Sequence, residues 1–293
     1  MNNIKSKLIT VVIIVVVFAL LVGVVSWALT TPCPPGRFAL VDNDSGVADI
    51  PEDVRQDASD LASQYSNGDS VYWDGYFDSL LEVYSEAVGT DVLLIFNSGG
   101  QGGEEIGPEW GSILDGVRQE LDKLGYDNLL VIYARTAEGV GNVLKEMRET
   151  GLSYHQKARP LASATEFFTE HIEGIRVILL GESAGAMMAN EAMYLLEENG
   201  RVYSIQTGTP FYYGTHVSDR SLVIEDNGLV PDSLCEGDLW TIFKANLGRI
   251  PTYRPEEGHF LFYMRTPGHI YTWEHPGVHG RVSVFLEEWF SSD

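Results

Sequence analysis

Positive charge and cysteine are what this chain has least of. Lysine and arginine total 19 against 42 aspartates and glutamates, for a formal net charge of −23. No basic surface is left to hold phosphates, which excludes nucleic acid as a partner. Two cysteines cannot build a disulfide framework or a thiolate metal cage. No HExxH stands near the histidines, and no lysine follows the glycine-rich loop at the spacing of a phosphate-binding loop. No metal or organic cofactor is implied. Internal repeats are lacking too. What is present folds: hydrophobic residues make up 44% of the chain, too many for disorder.

The longest apolar run comes first. Leu8 to Leu29 carries no charge and is rich in Val, Ile and Leu. About 20 such residues cross a hydrocarbon core as a helix. Lys5 and Lys7 precede the run, and Asp42, Asp44 and Asp49 follow it. The positive-inside rule then keeps residues 1–7 in the cytoplasm and exports the rest. Taking those two lysines from −23 leaves the exported part near −25. A cleaved signal peptide followed by secretion is the alternative. Ser26 and Ala28 offer small residues before a cut, although the run exceeds the usual apolar core of about 7–15 residues. Thr30-Thr31-Pro32 ahead of Cys33 makes a poor lipoprotein signal. Outside the cell, Cys33 and Cys235 either pair as a disulfide or stay separate thiols.

Behind residues 8–29, the anchor or uncleaved signal, residues 30–89 read as a proline-rich linker and an acidic helical prelude, with helices near Pro51–Gln64 and Tyr76–Val88. From residue 90 to 293 strands and helices alternate. Strands are expected at Val92–Phe96, Leu129–Tyr133, Arg176–Leu180, Arg201–Gln206, Ser221–Ile224 and His259–Met264. Helices are expected near Trp110–Leu124 and Leu161–Ile172, with Val278–Phe290 closing the chain. This alternation specifies an α/β fold, a mostly parallel sheet with helices on both faces, here preceded by one transmembrane helix.

Gly181-Glu182-Ser183-Ala184-Gly185 joins the apolar strand Val177–Leu180 to the helix that starts at Ala186. A G-x-S-x-G in strand–turn–helix context lifts the serine hydroxyl above the sheet edge. The flanking glycines give clearance for the turn, and Ala184 presents an N–H at the helix start to a developing oxyanion. An ordinary glycine-rich turn is the bland alternative. An earlier strand ends in Asn97-Ser98-Gly99-Gly100-Gln101-Gly102-Gly103.

Over roughly Asp91–Phe290 the chain resembles the α/β-hydrolase superfamily. Gly-Glu-Ser-Ala-Gly is similar to the Gly-Asp-Ser-Ala-Gly elbow of many carboxylesterases. The Asn97–Gly103 loop resembles the Asn-Pro-Gly-Gly-Pro-Gly-Gly loop of exported proline-aminopeptidase-like hydrolases. That resemblance implies an oxyanion hole built from backbone N–H groups of Gly99, Gly100 or Gln101 together with Ala184.

A serine nucleophile needs an imidazole. Seven histidines compete. His155 and His171 precede the serine and suit surface or helix packing; His216 lies in a polar turn, and His259 starts a strand. His269 follows the turn Thr266-Pro267-Gly268, and Gly268 to Pro276 resembles the family's Gly-His loop ending in Glu-His-Pro. There the first histidine is the catalytic one, and Phe285-Leu286 matches the Phe-Leu pair of the terminal helix. His279 and His275 remain alternatives.

The acid is expected after the strand Ser221–Ile224, in the order serine, acid, histidine. Relatives place it directly before glycine in Asp-Gly-Leu-Val-Pro, where this chain has Asn227. Asp226, one residue earlier, is the first choice; Asp232, Glu225 and Asn227 itself are the others. Between Asp232 and Gly258, an apolar spacing through Leu239, Trp240, Ile242, Phe243 and Leu247 suggests a helix, either a small lid or sheet packing.

The expectation is therefore a membrane-anchored serine hydrolase with the triad Ser183, His269 and Asp226. It would act outside the cytoplasm on a small-molecule or lipid ester of a carboxylic acid. Peptidase, thioesterase or amidase chemistry uses the same groups, and a hydrolase-like binding domain without turnover is the competing class.

Overall fold

A computed structural model describes residues 23, 26, 34–41, 50–100, 102–136, 140–216, 218–247 and 265–291. Among these, no helix is long and apolar enough to cross a membrane. The expected anchor Leu8–Leu29 lies outside them except at Gly23 and Ser26, as do Cys33 and the expected strand His259–Met264.

Six strands form one sheet: β1 (Arg37–Leu40), β2 (Val92–Asn97), β3 (Asn128–Ala134), β4 (Arg176–Glu182), β5 (Val202–Thr207) and β6 (Ser221–Ile224), in the order β1-β3-β2-β4-β5-β6. All neighbours are parallel except β1 against β3. β2 is buried at all its positions, as a parallel strand covered on both faces must be. Its side chains alternate between two cores. Leu93 and Ile95 face the layer of α1 (Glu52–Tyr65), α2 (Ser70–Ala87), α5 (Ala158–His171) and α6 (Ala184–Leu195). Val92, Leu94 and Phe96 face α3 (Pro108–Leu124) and α8 (His279–Phe290).

Local chemistry explains the helix ends. Asp69 caps α2 by accepting from the N–H groups of Val71 and Tyr72. Pro108 occupies the first turn of α3, and Gly125 ends that helix at φ 87°. Two elements escape a reading by periodicity. β1 lies within the stretch expected as linker, yet it pairs along the sheet edge from Arg37 opposite Ala134 to Leu40 opposite Val131. α4 (Val140–Gly151) forms in a charge-rich stretch for which no helix was expected. Residues 50–87, expected as a prelude, contribute Val54, Ala58, Tyr76 and Leu80 to the same core as the sheet.

α4 brings Glu146 to the end of β3, where it joins a buried ionic cluster. Its carboxylate accepts from Arg135 Nε at 2.7 Å, Lys157 Nζ at 2.5 Å and the Tyr154 hydroxyl at 2.6 Å. Burial alone would raise the Glu146 carboxyl, but Arg135 and Lys157 outweigh it and hold it at about 2. Removing that charge leaves two buried cations without their partner, a loss of about 3–5 kcal/mol. Glu146→Gln should therefore unfold at clearly lower denaturant at pH 7. The folded-state value is depressed, so the stabilisation is complete above the unfolded carboxylate range of about 4.3. The wild-type advantage over the variant should shrink as pH falls from there through about 2. A stability difference that stays constant across that window would contradict the assignment.

Candidate active site

Ser183 stands where β4 stops and α6 begins, with φ 52° and ψ −113°. A non-glycine residue reaches such angles only when its surroundings hold it there. Here the backbone is committed on both sides. The Ser183 N–H donates to the Thr207 carbonyl at 2.8 Å, extending the sheet, and its carbonyl accepts from Met187 N–H at 3.1 Å, starting the helix. The hydroxyl does not cap its own helix. The turn also depends on close backbone approach. A Cβ at Gly185 would lie 2.0 Å from the Asn97 carbonyl oxygen.

The loop leaving β2 is held from below by Arg135, which is fully buried. Its guanidinium donates to the carbonyl of Ser98 and, at 2.7 Å, to that of Gly100. Across a planar peptide the C=O and N–H point in opposite directions. Tying the Ser98 carbonyl to Arg135 therefore turns the Gly99 N–H away from the guanidinium. Gly102 (φ +72°) packs on the same side chain, where a Cβ would lie 2.4 Å from Arg135 Cγ. The expected oxyanion residues then differ in their surroundings. Gly99 lies on the Glu182 carboxylate, and its N–H acts on that group. Gly100 has φ +54° with open space where a side chain would be. Ala184 is the first residue of α6 and is buried. Gln101 lies outside the described residues.

His269 is set against the same strand ends. A Cβ on Gly208 would come within 2.7 Å of His269 Cε1, so the imidazole lies directly on the backbone after Thr207. Thr207 is the residue that accepts the Ser183 N–H. The turn before the histidine is fixed by His269 N–H donating to the Thr266 carbonyl at 3.0 Å.

The acid that meets His269 is Asp232. Its Oδ2 lies 2.8 Å from His269 Nδ1 and accepts from the Tyr271 hydroxyl at 2.6 Å and the Cys235 thiol at 3.1 Å. Oδ1 accepts from the N–H groups of Leu234 and Cys235 at 2.8 and 3.2 Å. Burial would raise this carboxyl, but its bond with His269 and the imidazole charge outweigh that and hold it at about 2. Asp226, the first choice from the sequence, is placed elsewhere: it is exposed, and its Oδ1 accepts from the Gly228 N–H at 2.7 Å. Glu225 is exposed too. Asn227 is a staple between two loops, donating to the carbonyls of Gly268 and Ile270 and accepting from Leu229 and Val230. The Asn227-Gly228 pair was the available signal, because such pairs turn the chain and engage neighbouring side chains with local backbone. Glu182, beside Gly99, had no role assigned from the sequence; burial raises its carboxyl, partly offset by the charge on His269 and the Gly99 N–H.

The other described histidines are engaged apart from this site. His155 and His216 flank the Glu191 carboxylate, and His171 pairs with Asp57 at 3.0 Å. His275 Nδ1 accepts from the Thr272 N–H, and His279 opens α8 against Trp273. Cys235 is a free thiol. The segment expected as a lid or packing helix forms α7 (Leu239–Asn246), with Ile242 buried and Leu239, Trp240 and Phe243 exposed. Among the described residues, Asp232, Cys235 and His269 are the three whose metal-ligating atoms all lie within 4.8 Å of one another.

No family model matches the sequence, and no curated protein matches it. Solved structures do. One is the cutinase of Trichoderma reesei bound to a phosphonate inhibitor, at 15% identity and a TM-score of 0.42, covering 84% of this chain and 94% of that one. Another is an α/β serine hydrolase without a lid from Xanthomonas campestris, at 16% identity and a TM-score of 0.40, covering 70% of this chain and 84% of that one.

Proposed function

We propose that the chain is a serine hydrolase that cleaves a carboxylic ester through an acyl-enzyme. Ser183 Oγ attacks the carbonyl carbon while His269 Nε2 takes its proton. The same imidazole returns that proton to the leaving alcohol and then activates water for deacylation. Asp232, bonded to Nδ1, keeps Nε2 as the acceptor and stabilises the imidazolium. The N–H groups of Gly100 and Ala184 stabilise the tetrahedral oxyanion. The observation that carries this reading is the Asp232–His269 bond of 2.8 Å on an imidazole seated against Gly208, beside the strained serine turn.

Apolar side chains around the acid and histidine loops support an ester with an apolar acyl group. Leu229, Val230 and Ile270 are exposed there, and Phe211 and Tyr212 are exposed after β5. The net charge of −23 favours a neutral or cationic substrate over an anionic one. Peptide, thioester and amide carbonyls suit the same groups. The apolar run Leu8–Leu29 supports an anchored enzyme acting outside the cytoplasm; on intact membranes, added protease should then digest the domain.

A fluorophosphonate probe should label the wild-type chain and leave Ser183→Ala unlabelled; equal labelling of the two overturns the hydrolase reading. On a p-nitrophenyl ester, Asp232→Asn should lose about 10²–10⁴-fold in kcat with little change in KM, as expected when the tautomer is no longer enforced. Asp226→Asn should stay within about threefold of wild type, in keeping with a surface substitution. The reverse order of these two variants would return the acid to Asp226.

A further inference from the structure

Asp232 Oδ2 gathers three donors, of which only His269 belongs to the proposed triad. Besides His269 and Tyr271, the third is the thiol of Cys235, at 3.1 Å. A thiol has no part in ester hydrolysis by serine. Its sulfur, a ring nitrogen of His269 and a carboxylate oxygen of Asp232 lie within 4.8 Å of one another, and Nδ1 is the ring nitrogen bonded to that carboxylate. Sulfur, nitrogen and oxygen from three side chains form a set that Zn²⁺ takes at about 2.0–2.3 Å. In a tetrahedral site such ligands stand roughly 3.3–3.8 Å apart, so the shift from the present spacing is at most about 1.5 Å.

The ligands are held on a rigid frame. Ser233 N–H and Oγ both donate to the Pro267 carbonyl, at 2.9 and 2.8 Å, locking the acid loop to the histidine loop. Gly268 (φ +83°) presses on Asp232 so closely that a Cβ there would lie 2.8 Å from its Cα. The Asp232 carboxylate between the two other side chains supplies negative charge for a cation.

We propose that Asp232, Cys235 and His269 form a site for a thiophilic divalent cation such as Zn²⁺, and that filling it switches the hydrolase off. The cation bonds to Sγ, Nδ1 and a carboxylate oxygen. The thiol proton leaves to solvent, and the single proton of the neutral imidazole moves from Nδ1 to Nε2. Nε2 then has no lone pair to accept the Ser183 proton. The site stands on geometry alone; the inhibition rests on the hydrolase function proposed above.

The test uses the full chain with Cys33→Ser, which leaves Cys235 as its one thiol, reduced and freed of metal. Titration with Co²⁺ should saturate at one equivalent with a sulfur-to-cobalt charge-transfer band, and Zn²⁺ should abolish the band. In Cys235→Ser, shown to be folded by its thermal unfolding, the band should vanish and Zn²⁺ should bind at least about tenfold more weakly. No band in the Cys33→Ser chain, or a band that survives Cys235→Ser, overturns the site. On a p-nitrophenyl ester, Zn²⁺ should stop turnover, EDTA should restore it, and Cys235→Ser should need about tenfold more Zn²⁺. Turnover that persists at Zn²⁺ levels filling the site overturns the switch. A chain that gives the band with Co²⁺ but, when freed of metal, shows neither turnover nor probe labelling overturns the hydrolase reading and leaves the site intact.

Discussion

β2 and β4 are hydrogen-bonded neighbours with Asn97 opposite Gly181, and the arrangement of the site follows from that pairing. Adjacent strands lie about 4.8 Å apart, so the chains leaving their carboxyl ends emerge side by side. One becomes the glycine loop and the other the serine turn. Gly185 touches the Asn97 carbonyl because no more than a strand spacing separates them. Buried Asn97 tightens the junction, its Nδ2 donating to the Leu180 carbonyl at 3.3 Å. On the other side of β4, β5 supplies Thr207 to hold the serine and Gly208 to seat the imidazole. β6 is next, and the loop beyond it carries Asp232. Four adjacent parallel strands thus bring residues far apart in sequence to one edge, as open α/β sheets do for their ligands.

Two carboxylates at that edge occupy opposite electrostatic situations. Asp232 is buried but surrounded by donors, and its carboxyl is held at about 2. Glu182 is pushed up by burial, and the groups around it only partly compensate. Such divergence is how neighbouring acids take different roles in one site. A strongly acidic protein also has few cations to place, and two of them, Arg135 and Lys157, are buried together on Glu146 beneath the glycine loop. Arg135 reaches that loop through the carbonyls of Ser98 and Gly100, which couples α4 to the site.

Strong periodicity was legible in the sequence; isolated pairings were not. Ser221–Ile224 emerges with its expected bounds, and the other described strands of the parallel sheet and most of the expected helices differ at their ends by a few residues. Continuous apolar runs between turn residues announce such strands because both faces are buried. β1 has four residues with mixed burial, so nothing in its composition separates it from a linker. α4 carries the charges Lys145, Glu146, Arg148 and Glu149, and three of these, Lys145, Glu146 and Glu149, are buried. Charge alone says nothing about burial when partners come from another element.

The elbow, the glycine loop and His269 were visible because each is a local feature: a turn demanding glycine, or a histidine following a tight turn. Local backbone constraints are written in neighbouring residues, and the sequence by itself determined those. The acid was a different problem. Asp226, Asn227 and Asp232 are close in sequence and alike in type, and only the packing of one loop on another separates them. Asn227 bridges to Gly268 and Ile270, Asp226 turns to its own backbone, and Asp232 is carried beneath the imidazole. Which carboxylate meets the histidine is a contact across 37 residues of chain. Tertiary structure decided it, because hydrogen bonds between loops depend on where the sheet delivers them and not on the order of the residues they join.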